Sequence, residues 1–196
     1  MMLKKTFLKF YLFILPFSAC QKNESSVPPR DVQVQTIEDN EALVTYLQTH
    51  FYNYHDFEND PDNHKIEISL DSLTEKNSDK IALWDQVVTK FVDTEDSDQN
   101  IVEHKLYYLI VKKGLGSMPS SVDSTFVSYK GSLLNGDVFD DRDYPIWFDL
   151  VNVVRGFRES LPEFNEGNFT INEDGTFNFD NYGKGLIFMP SALGYY

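Results

Sequence analysis

Residues 127–141, VSYKGSLLNGDVFDD, decide the fold. Within Thr125 to Leu134 the chain reads as a strand, and Asn135-Gly136 reads as a tight turn into Val138-Phe139. Working outward, residues 148–164, FDLVNVVRGFRESLPEF, hold a short helix over Val153 to Leu161, stopped by Pro162. Asp174-Gly175 lies between FTI and TFNF, a hairpin signal. Residues 186–196, LIFMPSALGYY, hold a strand over Leu186 to Met189, ended by Pro190.

Upstream, Asp39 or Asn40 is placed to cap a helix running to about Tyr54. Its apolar face is Leu43, Leu47, Phe51 and Tyr54. DFENDPDN breaks that pattern with charge and Pro61. Ile66, Ile68 and Leu70 alternate with Lys65, Glu67 and Ser69, a half-buried strand. Trp84 to Val92 fits a strand or a short helix equally well, and Leu106 to Val111 is an apolar strand. Strands, one short helix and more strands predict an α+β fold, a mostly antiparallel sheet wrapping a helix. No internal repeat is visible.

The chain has 196 residues and a formal net charge of -14. At 41% hydrophobic and 15% aromatic content it belongs with folded proteins. Such an acidic balance argues against nucleic acid as a partner and against a basic patch docked on anionic lipid. Cys20 is the only cysteine, so no disulfide forms within one chain. It follows MMLKKTFLKFYLFILPFSA, with Lys4 and Lys5 ahead of an apolar run and small Ser18 and Ala19 just before the cysteine. This is the pattern of a lipoprotein signal peptide, too short for a comfortable membrane span. Gln21 stands where Asp would signal inner-membrane retention. The expected location is therefore the bacterial envelope, lipid-anchored through Cys20 and favouring the outer membrane. The expected division is a signal peptide over 1–19, lipidated cysteine and tether over 20–36, a helix-and-strand region over 37–112 and a folded domain over 113–196.

Taken together and in order, the C-terminal motifs resemble the FKBP-type peptidyl-prolyl cis-trans isomerases, from about Leu106 to Tyr196. Tyr129 and Gly131 fit V-x-Y-x-G. Asn135-Gly136 and Phe139-Asp140 fit the family's turn and bulge, and Phe148 and Leu150 fit F-x-L. Val153, Val154, Gly156 and Phe157 fit V-I-x-G-W, and Pro190, Ser191, Leu193 and Tyr195 fit P-S-x-L-x-Y. The segment before them, with its helix and KLYYLIVKKGLG, resembles the leader region of envelope-anchored members.

The resemblance implies an FKBP-like sheet and an apolar pocket acting on Xaa-Pro bonds of unfolded or exported polypeptides, with no cofactor. The barrier to rotation about a peptide bond is about 18–20 kcal/mol because the amide must lose resonance. A dry pocket favours the twisted, less polar amide without any nucleophile. On the family pattern Phe157 is the pocket floor, and Tyr129, Phe139, Ile146 and Val153 are its walls. The Val154 N–H and the Tyr195 hydroxyl donate to substrate carbonyls, and Asp140 accepts from Tyr129. Phe157 replaces the common Trp and Ile146 a frequent aromatic. The stretch 165–185 is an insertion, and Tyr196 stands where Gly is commonest. The family's flap loop and last strand do not appear before Tyr196, so a C-terminally incomplete domain is expected. The alternatives are a non-catalytic, chaperone-like binding module and a structural envelope lipoprotein. His50, His55, His64 and His104 lack ligand-like spacing, and no metal site is expected.

Overall fold

A computed structural model describes residues 31–61, 63 and 65–194. The expected signal peptide, Cys20, His64 and Tyr195 lie outside them. In chain order the elements are helix α1 (Val32–Thr49), strand β1 (His50–Tyr52), helix α2 (Tyr54–Asn59), and strands β2 (Leu70–Ser72), β3 (Val88–Glu95), β4 (Ile101–Lys112), β5 (Ser124–Ser132) and β6 (Val138–Asp149). Helix α3 (Arg155–Ser160) follows, then strands β7 (Asn168–Ile171), β8 (Phe177–Asp180) and β9 (Lys184–Phe188). Every strand pairing is antiparallel. The expected mixed α+β class is what the chain adopts. The pairings form a three-stranded sheet, β3-β4-β9, and three hairpin-like pairs, β1-β2, β5-β6 and β7-β8.

Strand β4 is the centre. Its alternate residues feed two cores, as the two-residue period of a strand requires. On one face Tyr107 and Leu109 join Leu43 and Leu47 of α1, Tyr52, Tyr54, Leu83 and Phe188. On the other, Leu106 packs with Val92, Ile187, Met189 and Leu193. The register agrees, with Phe188 opposite Tyr107 and Ile187 opposite Tyr108. The boundary expected at 112/113 therefore cuts through one sheet, because β4 lies before it and β9 after it.

Helix α1 starts earlier than its apolar stripe suggested. The Asp31 side chain accepts from the Gln33 and Val34 N–H groups at 2.8 and 3.2 Å, capping the helix. The helix thus begins inside the stretch expected as tether, 20–36. It also stops at Thr49 rather than near Tyr54. There His50–Tyr52 pair with Leu70–Ser72, and a ladder replaces the helical bonds. Of the strand expected over Ile66–Leu70, the ladder includes only Leu70. The ambiguous stretch at Trp84 resolves into a 3-10 turn, Leu83–Asp85, followed by β3.

Both glycine turns lie where expected. In each, a residue three before accepts from the glycine N–H at 2.9 Å, Leu133 for Gly136 and Asn172 for Gly175. Each glycine takes positive φ, +92° and +83°. These are three-residue loops with a left-handed glycine rather than two-residue turns. Pro162 does not stop the helical path, which continues as a 3-10 turn over Leu161–Glu163. A proline near the start of such a turn lacks only an N–H that has no partner there.

Helix α3 is fixed against the sheet by charge and by close packing. The Lys90 ammonium donates to Glu163 at 2.7 Å and to the Glu159 carbonyl at 2.6 Å, and the Tyr108 hydroxyl donates to Glu163 at 3.2 Å. A Cβ added at Gly156 would lie 2.5 Å from Met189 Sδ and 3.0 Å from the Leu193 carbonyl. Helix α1 is tied to the same corner, since Asp39 accepts from the Ser191 N–H at 2.7 Å and its hydroxyl at 2.6 Å. Next to this corner His104 is fully buried. Its Nδ1 lies 3.3 Å from Thr36 Oγ1 on α1, and its Nε2 lies 2.8 Å from Thr94 Oγ1 on β3. Burial holds its pKa below the usual imidazole value, and Arg155 adds to this while Asp39 and Asp93 oppose it. Among the described residues no helix is long and apolar enough to cross a membrane.

Two outcomes are expected. Gly156→Ala should destabilise the fold by ~1–3 kcal/mol, the range for overpacking, in urea unfolding at constant slope. For His104, the folded state holds its proton less tightly than the unfolded state, whose value is about 6.5. Its contribution to stability is complete above that pH and is lost as pH falls through the lower folded value. The urea midpoint should therefore fall between neutral and mildly acidic pH, and His104→Gln should flatten that dependence.

Candidate functional site

The site is built on the β5-β6 hairpin and the start of α3. The hairpin starts in register at Ser132, opposite Val138, and a one-residue irregularity between Gly131 and Ser132 then places Gly131 opposite Asp140 and Tyr129 opposite Arg142, with a second irregularity between Val127 and Tyr129. The Tyr129 hydroxyl donates to Asp140 Oδ2. The other Asp140 oxygen lies 3.4 Å from an Arg142 guanidinium nitrogen. A half-buried carboxylate is thus held between a hydroxyl and a cation, which fixes its direction.

Three aromatic rings meet beside it. Tyr129 lies 5.5 Å from Phe148 and 5.5 Å from Phe157, and Phe148 lies 5.9 Å from Phe157. Phe157 meets both partners edge-on, at 77° and 78°, the geometry that ring quadrupoles favour. All three are half-buried, so the cluster is an apolar surface that a ligand can reach, not a closed core.

Phe139 reaches the same face by an indirect route. Gly131 and Tyr129 are two apart on β5 and share a face. A Cβ at Gly131 would lie 2.7 Å from Phe139 Cζ. The missing side chain therefore makes the space that the Phe139 ring occupies. Phe139 is also 53% exposed, so its ring is open to a partner.

The link from β6 to α3 is a 3-10 turn, Leu150–Asn152, anchored by fully buried Leu150. Asp149 caps it, accepting from the Val151 N–H at 3.4 Å and the Asn152 side chain at 2.8 Å. This turn delivers Val153 and Val154 to the mouth of α3. The Val154 carbonyl accepts from the Phe157 and Arg158 N–H groups at 3.0 and 3.2 Å. Its own N–H precedes the helix, where intrahelical acceptors are lacking.

The structure thus brings together Tyr129, Phe139, Asp140 and Phe157 and sets Val153 and Val154 at the helix start. Ile146 is half-buried on β6 opposite Val127. Two participants were missed. Phe148 matched a motif but reads as core, and Arg142 belongs to no motif. No spacing rule marked Arg142: counting back from the three-residue loop sets Asp141 across from Tyr129, and Arg142 takes that place only because the register shifts by one residue between Gly131 and Ser132. Among the described residues no three metal-ligating side chains converge.

No family model matches the chain. It is 32% identical over 84 residues to the peptidyl-prolyl cis-trans isomerase Mip of Chlamydia muridarum, covering 40% of this chain and 35% of the relative. It is 37% identical over 93 residues to the FKBP-type peptidyl-prolyl cis-trans isomerase FkpA of Escherichia coli K12, covering 46% of this chain and 29% of the relative. The crystal structure of FkpA from Escherichia coli overlaps 48% of this chain and 47% of that one, at 24% identity and a TM-score of 0.31. The chain spans about a third of the length of the curated relatives it matches. Over 40–46% of its length, the chain is similar to FKBP-type and Mip peptidyl-prolyl cis-trans isomerases.

Proposed function

We propose that the chain is a peptidyl-prolyl cis-trans isomerase that binds proline-containing, unfolded or exported polypeptides at the Tyr129–Phe148–Phe157 cluster. The observation that carries this reading is the Tyr129 hydroxyl donating to Asp140 at the rim of three half-buried rings. A prolyl ring seated on Phe157 places its amide near this carboxylate. There the apolar surroundings favour the twisted amide, which has lost resonance and part of its dipole, over the planar one. Asp140, held by Tyr129 and Arg142, presents a fixed field to the rotating carbonyl. Val154 offers its N–H at the helix start, and Tyr195 is the further donor that the family pattern calls for. Val153 and Ile146 complete the walls in this reading. No bond to the protein forms, and this reading calls for no cofactor or metal.

The location belongs to the same proposal. Lys4, Lys5, the apolar run and Cys20 support a lipid anchor at the envelope, with the outer membrane favoured by Gln21. A protein that acts on chains emerging there needs no fuel, since isomerisation runs to equilibrium. The anchor is checked by palmitate incorporation in growing cells, with label expected on the wild-type chain and none on Cys20→Ala.

The activity is checked by exchange spectroscopy on a Xaa-Pro peptide. Wild-type protein should accelerate cis-trans exchange. Asp140→Asn keeps the shape and removes the charge, and should lower the rate constant about tenfold, the equivalent of ~1.4 kcal/mol. Phe157→Ala should lower it further. Acceleration that survives both changes would remove this cluster as the site. A folded protein with no acceleration at all would leave a binding module in place of an enzyme.

A further inference from the structure

The insertion between α3 and β9 carries an apolar face that the isomerase reading does not use. In β7-β8, Phe169 pairs with Phe179 and Ile171 with Phe177, while Asn168, Thr170, Asn178 and Asp180 take the alternate positions. One face of the ribbon is therefore wholly apolar and the other polar. The apolar face continues onto the β5-β6 hairpin, where Phe179 lies 5.1 Å from Phe126, and Phe126 lies 5.1 Å from Trp147. Trp147 and Phe148 are neighbours on β6, so they point to opposite faces of it. The shelf lies behind the prolyl cluster, not within it.

This shelf is open. Phe169, Ile171, Phe177, Phe179 and Trp147 are between 47% and 68% exposed. A two-stranded ribbon is marginal in water by itself, and a contiguous exposed apolar patch marks an interaction surface. Its charge selects the occupant. Residues 123–183 carry twelve acidic side chains against four cationic ones. Glu173 and Asp174 sit in the ribbon's turn, Asp180 lies on its polar face, and Asp141 and Asp143 lie further along β6, the strand that carries Trp147. A second copy would bring the same negative charge, and phosphate headgroups or nucleic acid would be repelled. Side chains two apart on β7 and on β8 repeat at about 7 Å, the repeat of an extended polypeptide. Among the described residues β7 and β8 pair only with each other, which leaves each an outer edge where an extended chain can add.

We propose that this shelf is a second polypeptide-binding site, one that takes an extended non-native segment rich in apolar side chains and flanked by Lys or Arg, whether or not it contains proline. Such a site would hold a client on the back of the hairpin whose front carries the prolyl cluster.

The test uses the full chain and a proline-free, dansyl-labelled decapeptide in which Phe and Leu alternate with Ser and Thr and Lys stands at both ends. Anisotropy should report binding that weakens at least tenfold in Trp147→Ser and in Phe177→Ser and is unchanged in Phe157→Ala. Replacing the terminal Lys by Glu should weaken binding at low salt, with the difference shrinking as salt rises. Circular dichroism on each variant separates loss of the shelf from loss of the fold, and Asp180→Lys, on the polar face, gives a charge variant with the rings intact. Lower affinity for the Lys-ended peptide in that variant supports the proposal. No binding by wild type, binding lost in Phe157→Ala but kept in Trp147→Ser, or equal binding of the Glu-ended peptide would each overturn it. So would a dimer in sedimentation velocity, or co-sedimentation with phosphatidylcholine vesicles, that Trp147→Ser abolishes. Because the probe has no proline, a failure here is separate from a failure of isomerase activity.

Discussion

Everything in this fold rests on one strand being buried on both sides. Strand β4 gives Tyr107 and Leu109 to one core and Leu106 to the other, and it pairs along its edges with β3 and β9. Burial of these side chains contributes on the order of 1.5–3 kcal/mol each. That makes β4 the one element from which neither the N-terminal helix nor the C-terminal segments can part cheaply. Helix α1 docks because β4 offers Tyr107 and Leu109. Leu193 and the 3-10 turn that holds it dock because β4 offers Leu106. The helix and that turn then meet directly through Asp39 and Ser191.

The site inherits its precision from this frame. Helix α3 is clamped to the sheet by Lys90, Glu163 and Tyr108, and to the Met189–Leu193 segment by the bare backbone of Gly156. Phe157 therefore has a fixed position against which Tyr129 and Phe148 can close. The hairpin supplies the remainder by register. The turn, with Gly136 in the left-handed region, and the irregularity between Gly131 and Ser132 together set which residue of β6 faces Tyr129 and Gly131 of β5. A single-residue slip would turn Asp140 away from Tyr129. Gly131 adds a second device, since its missing side chain admits the Phe139 ring.

Local signals in the sequence were legible where a short-range rule governs. Asn135-Gly136 and Asp174-Gly175 mark turns because glycine there takes positive φ. Leu43 and Leu47 mark a helix face because both are buried on α1. The rules failed where a partner distant in sequence decides. Phe51 and Tyr54 fit the helical stripe, yet pairing with Leu70–Ser72 takes His50–Tyr52 into a ladder. Both residues still reach the same core, so the stripe correctly reported burial and misreported backbone. Pro162 likewise marks the end of regular α-helix, yet the chain winds on for one more 3-10 turn.

By itself the sequence determined the element types near each turn, the apolar residues of the core, and the motif order from Tyr129 to Ser191 that resembles the FKBP-type isomerases. These depend on spacing along the chain, which a one-dimensional reading preserves. Only the tertiary structure decided that β4 and β9 join what looked like two regions, that Arg142 and Phe148 complete the cluster, and that Phe126 and Trp147 share a face with the β7-β8 ribbon. Those facts depend on which strand lies beside which. That choice is made by packing of both faces at once, and no stretch of the chain encodes it alone.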